Sequence, residues 1–262
     1  MGSLAVQAIE YIPPVVGEYY WKQKGIDIDG EPSTENYGGT LGSSLYGGSV
    51  SLNADGNKLI IGGEHAESKV EFAGNPDYDG IRVGYARVFE WREFLDTDQA
   101  SDYEYITRIQ NDTQPKPILI FYRDSANGID TPVVGEYYWT QIGSDIDGEN
   151  LYSYSGWSVD ISNDGLRIAI GQKGSSPGES LSGNINPSVK IYLLNQGRMS
   201  WDEQFSVEGE EFSDFGTSIS LNNDGNILAV GAPKKNNNVG SVLVYKKDPF
   251  DESWSQLGNE IN

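Results

Sequence analysis

Residues 212–233, Phe212-Ser213-Asp214-Phe215-Gly216-Thr217-Ser218-Ile219-Ser220-Leu221-Asn222-Asn223-Asp224-Gly225-Asn226-Ile227-Leu228-Ala229-Val230-Gly231-Ala232-Pro233, read as two strands joined by a tight turn. Ser218, Ser220 and Asn222 alternate with Ile219 and Leu221, the period of a half-buried strand. Asn223-Asp224-Gly225 then reverses the chain into the apolar run Ile227 to Val230. Gly225 supplies the positive φ that such a hairpin requires.

The same register returns twice. Tyr46 to Gly56 leads into Leu59-Ile60-Ile61-Gly62, and Ser155 to Gly165 leads into Ile168-Ala169-Ile170-Gly171. A second repeat lies outside the hairpins. Val15 to Glu31 and Val133 to Glu149 agree at all but three of seventeen positions, Lys22/Thr140, Lys24/Ile142 and Ile26/Ser144, which is internal duplication.

Further alternating stretches follow each hairpin: Tyr85 to Trp91 and Tyr103 to Ile109 after the first, Val189 to Leu193 and Trp201 to Phe205 after the second, Ser241 to Tyr245 and Trp254 to Gly258 after the third. Each hairpin with its two followers makes a four-strand unit. Leu4 to Tyr11 with the Trp21 segment, and Pro117 to Arg123 with the Trp139 segment, read as half units that lack a hairpin; the Asp27 to Glu31 and Asp145 to Glu149 segments read as turns. The sequence thus predicts an all-β chain, a β-propeller of repeated four-stranded antiparallel blades. It has three full repeats and two half repeats, roughly sixteen strands, which close as four blades, form a five-position ring with two incomplete blades, or belong to a larger ring completed by further sequence or by a second copy. The expected divisions of this single repeat domain are 1–31, 32–110, 111–149, 150–210 and 211–262. No long window carries apolar residues at helical spacing.

Composition restricts the partners. The 262 residues carry 18 Lys and Arg against 39 Asp and Glu, a formal charge of −21. Such a surface repels phosphate backbones and anionic head groups, so nucleic acid is not an expected partner. Cysteine is absent, which excludes disulfides and thiolate metal sites. No apolar run approaches the ~20 residues of a membrane span, and Leu4 to Ile12 lacks the length and basic flank of a signal peptide.

At Phe215-Gly216 followed by Gly231-Ala232-Pro233 the chain resembles the FG-GAP repeat of the integrin α-subunit propeller and of many bacterial, algal and viral surface proteins. The first unit departs from the pattern to Tyr46-Gly47 and Gly62-Gly63-Glu64, the second to Ser155-Gly156 and Gly171-Gln172-Lys173. The resemblance implies a noncatalytic, extracellular or surface-exposed module for adhesion or scaffolding, with a protein or glycan ligand, no membrane insertion, and oligomers as an option. A carbohydrate-binding lectin is the alternative, and a polysaccharide-active enzyme a third reading.

The resemblance also implies calcium in loops of Asp-x-Asp-x-Asp-Gly type. Asn75, Asp77 and Asp79, closed by Gly80, have that spacing, and alternate oxygens in a tight turn can converge on a hard cation. Position 86, where a bidentate Glu would complete an EF-hand set, is alanine. Asp55, Asp164 and Asp224 precede the hairpin glycines and are expected to accept backbone hydrogen bonds. The triplets Asp27/Asp29/Glu31 and Asp145/Asp147/Glu149 are weaker cation candidates. His65, the sole histidine, has no nucleophile-elbow motif to serve, and no catalytic residues are assigned. The Tyr-Tyr-Trp segments are expected to fill space between blades.

Overall fold

A computed structural model of the chain describes residues 28, 47–64, 83–96, 104–105, 118–120, 132–150, 152–176 and 184–262. These form an all-β molecule of repeated four-stranded antiparallel sheets, the blades of a propeller.

The first blade holds β1 (Ser49–Leu52), β2 (Lys58–Gly63), β3 (Tyr85–Glu93) and β6 (Tyr137–Gln141), hydrogen-bonded in that order. Two short strands, β5 (Ile118–Ile120) and β4 (Glu104–Tyr105), extend its outer edge, and β7 (Ile146–Asp147) pairs with the start of β3. The second blade is β8 (Ser155–Ile161), β9 (Arg167–Gln172), β10 (Ser188–Asn195) and β11 (Ser200–Glu208). The third is β12 (Ser218–Leu221), β13 (Ile227–Ala232), β14 (Ser241–Lys247) and β15 (Trp254–Gln256).

All three expected hairpins form with matching registers: Ser49 lies opposite Gly62, Ser158 opposite Gly171, and Ser218 opposite Gly231. The outer strand of the first blade differs from expectation. Tyr103 to Ile109 was to be that strand, yet Glu104 and Tyr105 pair in parallel with β5, and the place beside β3 is taken by the Trp139 segment. The Asp145 to Glu149 stretch, expected as a turn, also contributes a strand, with Ile146 opposite Ala86. Gly143, at φ 74°, bends the chain between β6 and β7. The third blade repeats the device: Gly258 has φ 73° and Ile261 bridges back to Val242.

Blades pack face to face. One core between the first and second contains Ile60, Val88, Ile168, Ile170 and Leu194; another between the second and third contains Val189, Ile191, Phe215, Leu228 and Val230. Each fully buried aliphatic side chain contributes about 1.5–3 kcal/mol. A third, smaller cluster of Ile61, Phe89 and Trp139 lies on the front of the first blade, with Ile28 packed on it.

Glycine sets how closely the inner strands approach. A Cβ on Gly62 would run into the carbonyl oxygen of Gly156, and a Cβ on Gly171 into that of Gly216. Gly156 and Gly216 themselves hold φ near 80°, so each contact demands glycine on both sides. The seam is also hydrogen-bonded. Ser158 Oγ donates to Gly216 O at 2.6 Å, and the Val159 amide donates to Ser49 Oγ at 2.9 Å. The Asp160 carboxylate spans three blades, accepting from Ser51 Oγ at 2.7 Å and from the Leu221 amide at 2.6 Å.

Candidate functional site

The hairpin turns of successive blades stack side by side at one end of the molecule. The Ala54 amide donates to Asn163 O at 3.2 Å and the Asn163 amide to Asn223 O at 2.9 Å, so three turns form one hydrogen-bonded row. Each turn is closed from within. Asn53 Oδ1 accepts from the amides of Asn57 and Lys58, and Asn222 Oδ1 does the same for Asn226 and Ile227. In the second turn Asp164 Oδ1 accepts from Ser162 Oγ at 2.6 Å and the Leu166 amide at 2.9 Å. The structural role expected of the three turn aspartates therefore falls to Asp164 in one turn and to the asparagines in the others. The sequence held the signal, because Asn53 and Asn222 precede their turn glycines at equal spacing. Among the described hydrogen bonds, the side chains of Asp55 and Asp224 take none.

The row of turns borders a cleft of about 570 Å³ between the second and third blades, lined by Asn163, Arg167, Asn223, Asp224, Lys247 and Asp248 among others. Its wall is mostly polar, with Pro249 the apolar member of the lining. Arg167 Nη1 donates to Asp224 O at 3.2 Å, and Lys247 Nζ lies 2.7 Å from Glu252 Oε1. The hydrogen bond from Lys247, aided by its charge, holds the Glu252 carboxyl below the usual carboxylate range. Asp248 Oδ1 accepts from the Phe250 amide at 2.7 Å. Asp224 is thus an unengaged carboxylate in a cleft that also holds a guanidinium, an ammonium and several carboxamides. Those groups can donate to and accept from a small molecule rich in hydroxyl groups, and the carboxylate can take a proton from water.

A second polar cluster sits between the first and second blades. Lys190, whose side chain is 7% exposed, contacts Glu149 at 2.5 Å and Glu203 at 3.0 Å. Burial alone pulls the Lys190 ammonium down, and hydrogen bonds and charge from the two glutamates together carry it above its ordinary value. Burial, reinforced by Glu203 and Glu149, pushes the neighbouring Tyr192 hydroxyl well up. The triplet Asp145/Asp147/Glu149 does not converge on a cation. Asp145 is bidentate to Arg87, with both contacts at 2.6 Å, and accepts from Gln141 at 2.8 Å, while Glu149 reaches across to Lys190. Among the described residues no group of three or more His, Cys, Asp or Glu side chains could hold a metal ion. Asn75, Asp77 and Asp79, like His65, Asp27, Asp29 and Glu31, lie outside the described residues. Of the Tyr-Tyr-Trp aromatics, expected between blades, Trp139 is buried in the first blade's own front cluster and Tyr137 is half exposed.

No protein-family model matches the chain. No curated protein matches it either. Several solved structures resemble it, three of which are lactonases by name. A candidate 6-phosphogluconolactonase from Bacteroides fragilis aligns at 10% identity and TM-score 0.42 over 81% of this chain and 38% of its own. Another from Bacteroides uniformis aligns at 9% and 0.27, over 82% and 85%. The periplasmic gluconolactonase of Pseudomonas aeruginosa aligns at 12% and 0.30, over 85% and 72%. The chain spans about two fifths of the length of the first. These are named as enzymes, against the expectation of a noncatalytic adhesion or scaffold module, and that expectation does not stand; its calcium and adhesion attributes find no support. At such identities and TM-scores the likeness assigns no activity to this chain. Among the described residues, no helix is long and apolar enough to cross a membrane.

Proposed function

We propose that the chain is a propeller hydrolase that takes a small polyhydroxylated substrate into the cleft between its second and third blades. The observation that carries this reading is the unengaged Asp224 carboxylate facing the same cleft as Arg167 and Lys247. Asp224 takes a proton from water as the water oxygen bonds to the carbonyl carbon of a cyclic or linear sugar ester. Arg167 and Lys247 stabilise the oxyanion that forms. The acyl C–O bond then breaks, and the departing oxygen receives the proton held by Asp224.

The FG-GAP resemblance belongs to the same reading, supported by the paired glycines at both blade seams. A location outside the cytoplasm is part of the same proposal; a chain without cysteine is indifferent to the redox state of its compartment.

The test is hydrolysis of a panel of aldonolactones, methyl uronates and aryl esters of sugar acids, followed by pH-stat or chromophore release. Sugar lactones, the substrate class in the names of the three similar structures, head the panel. Turnover that falls at least about a hundredfold in Asp224→Asn, with unchanged melting, supports the assignment. Turnover unaffected by Asp224→Asn, or none on any substrate, overturns it.

A further inference from the structure

Each inter-blade seam joins the back of one blade to the front of the next. The back offers a seam glycine, the alternate residues of the second and third strands, and the isoleucine that ends the outer strand. Between the first and second blades these are Gly62, Ile60, Ala86, Val88 and Ile146, all covered by the second blade. The third blade has the same set in Gly231, Ala229, Val242, Val244 and Ile261. There a Cβ on Gly231 would meet only Ser218 of its own sheet. Val242 is 40% and Ile261 63% exposed. Among the described residues, no blade covers the front of the first blade at its inner strand. Val50 and Leu52, counterparts of Val159 and Ile161 in the first seam and of Ile219 and Leu221 in the second, are 59% and 57% exposed. A Cβ on Gly47, whose φ is close to that of Gly156 and Gly216, would meet nothing within 4 Å among the described residues.

We infer that the back of the third blade is a docking surface for the front of the first blade in a second copy of this chain. The occupant follows from continuity with the two seams already formed. Gly231 has the place of Gly62 and Gly171, and Gly47 that of Gly156 and Gly216, so the two open surfaces repeat the two halves of a buried contact. The isoleucine positions agree with this. Ile28, the seventh residue after Trp21, packs on the first blade's front as Ile146, the seventh after Trp139, packs on the second blade. Ile261 is the seventh after Trp254. In the docked pair Ile261 of one copy takes over the place that Ile28 of the other holds in the free protein. Such a contact is heterologous, so it builds rings or open chains of copies.

Sedimentation velocity of the full chain over a wide concentration range tests this, in salt high enough to screen the charge of −21. The expected result is a mass that climbs with concentration from the monomer, ending at a closed ring of two or more copies or continuing as an open chain. Two variants separate the surfaces: Val242→Asp with Ile261→Asp on the back, and Val50→Asp with Leu52→Asp on the front, each checked by circular dichroism and melting. Each alone should remain a monomer, and an equimolar mixture should form a pair that grows no further, because each partner keeps one working surface. A wild type that stays monomeric at every concentration overturns the inference, and so does a folded front variant that still associates with itself.

Discussion

The two seams of the molecule share an inner edge and differ at the rim. In both, a glycine of one blade lies against the carbonyl of a positive-φ glycine in the next, with serine hydrogen bonds beside it. Outside that edge the first seam is ionic, with Lys190 between Glu149 and Glu203, and Trp201 Nε1 donating to Ile142 O at 3.0 Å. The second is aromatic: Phe205 stacks on Trp254 at 5.2 Å and tilts against Tyr245 at 5.7 Å. The inner edge is the invariant part of the joint because backbone meets backbone there, and nothing but glycine fits. At the rim, side chains of either chemistry can fill the wider gap.

The contrast is broken most severely at Phe215, which is 2% exposed and found as Phe in one unit alone. Phe215→Ala should cost about 3–5 kcal/mol in urea denaturation. Ser155, its counterpart at the first seam, offers no such volume to remove, so Ser155→Ala should cost no more than about 1 kcal/mol. Next comes Asp160, the carboxylate that ties the second blade to both neighbours. Asp160→Ala leaves the Leu221 amide without its acceptor, an expected loss of about 1–3 kcal/mol that denaturant melts would register.

The ionic rim should matter least at neutral pH. Lys190→Met removes the ammonium, but Glu149 and Glu203 are exposed enough to rehydrate, so stability should change by no more than about 1 kcal/mol. Its effect belongs to alkaline pH. Lys190 and Tyr192 both have folded-state values above their unfolded ones. Their contribution is therefore complete below about pH 10 and is lost as pH climbs toward the folded values. A Lys190→Met/Tyr192→Phe variant should lose less stability between pH 9 and 11 than wild type, measured by thermal melts across about that range.

The hairpins were legible because their information is local. An asparagine or serine three residues before a glycine, flanked by alternating apolar positions, specifies strand, turn and register together. The outer strand of the first blade was not, since residues 94–136 intervene between β3 and β6 and the order of short strands suggested sequential pairing. The signal was present all the same: Trp254-x-Gln-x-Gly repeats Trp139-x-Gln-x-Gly, and both segments take the outer place. The cleft was out of reach. Asp224 and Arg167 sit in different repeats, and only the stacking of the turns brings them together. Function was misjudged for a related reason, because a repeat motif reports how blades seat on one another and is silent about what their loops can do.

The glycine seam is the central claim, and one pair of variants isolates it. Gly171 and Gly231 occupy the same position in adjacent blades, and a Cβ on either would crowd the serine opposite, Ser158 or Ser218. Only Gly171 also faces the carbonyl of a following blade. Calorimetry of Gly171→Ala beside Gly231→Ala, at protein concentrations low enough to keep every copy monomeric, should show the first lowered by about 2–3 kcal/mol and the second changed by no more than about 1 kcal/mol. Equal losses in the two would contradict the seam, since the serine contact they share would then account for the whole effect.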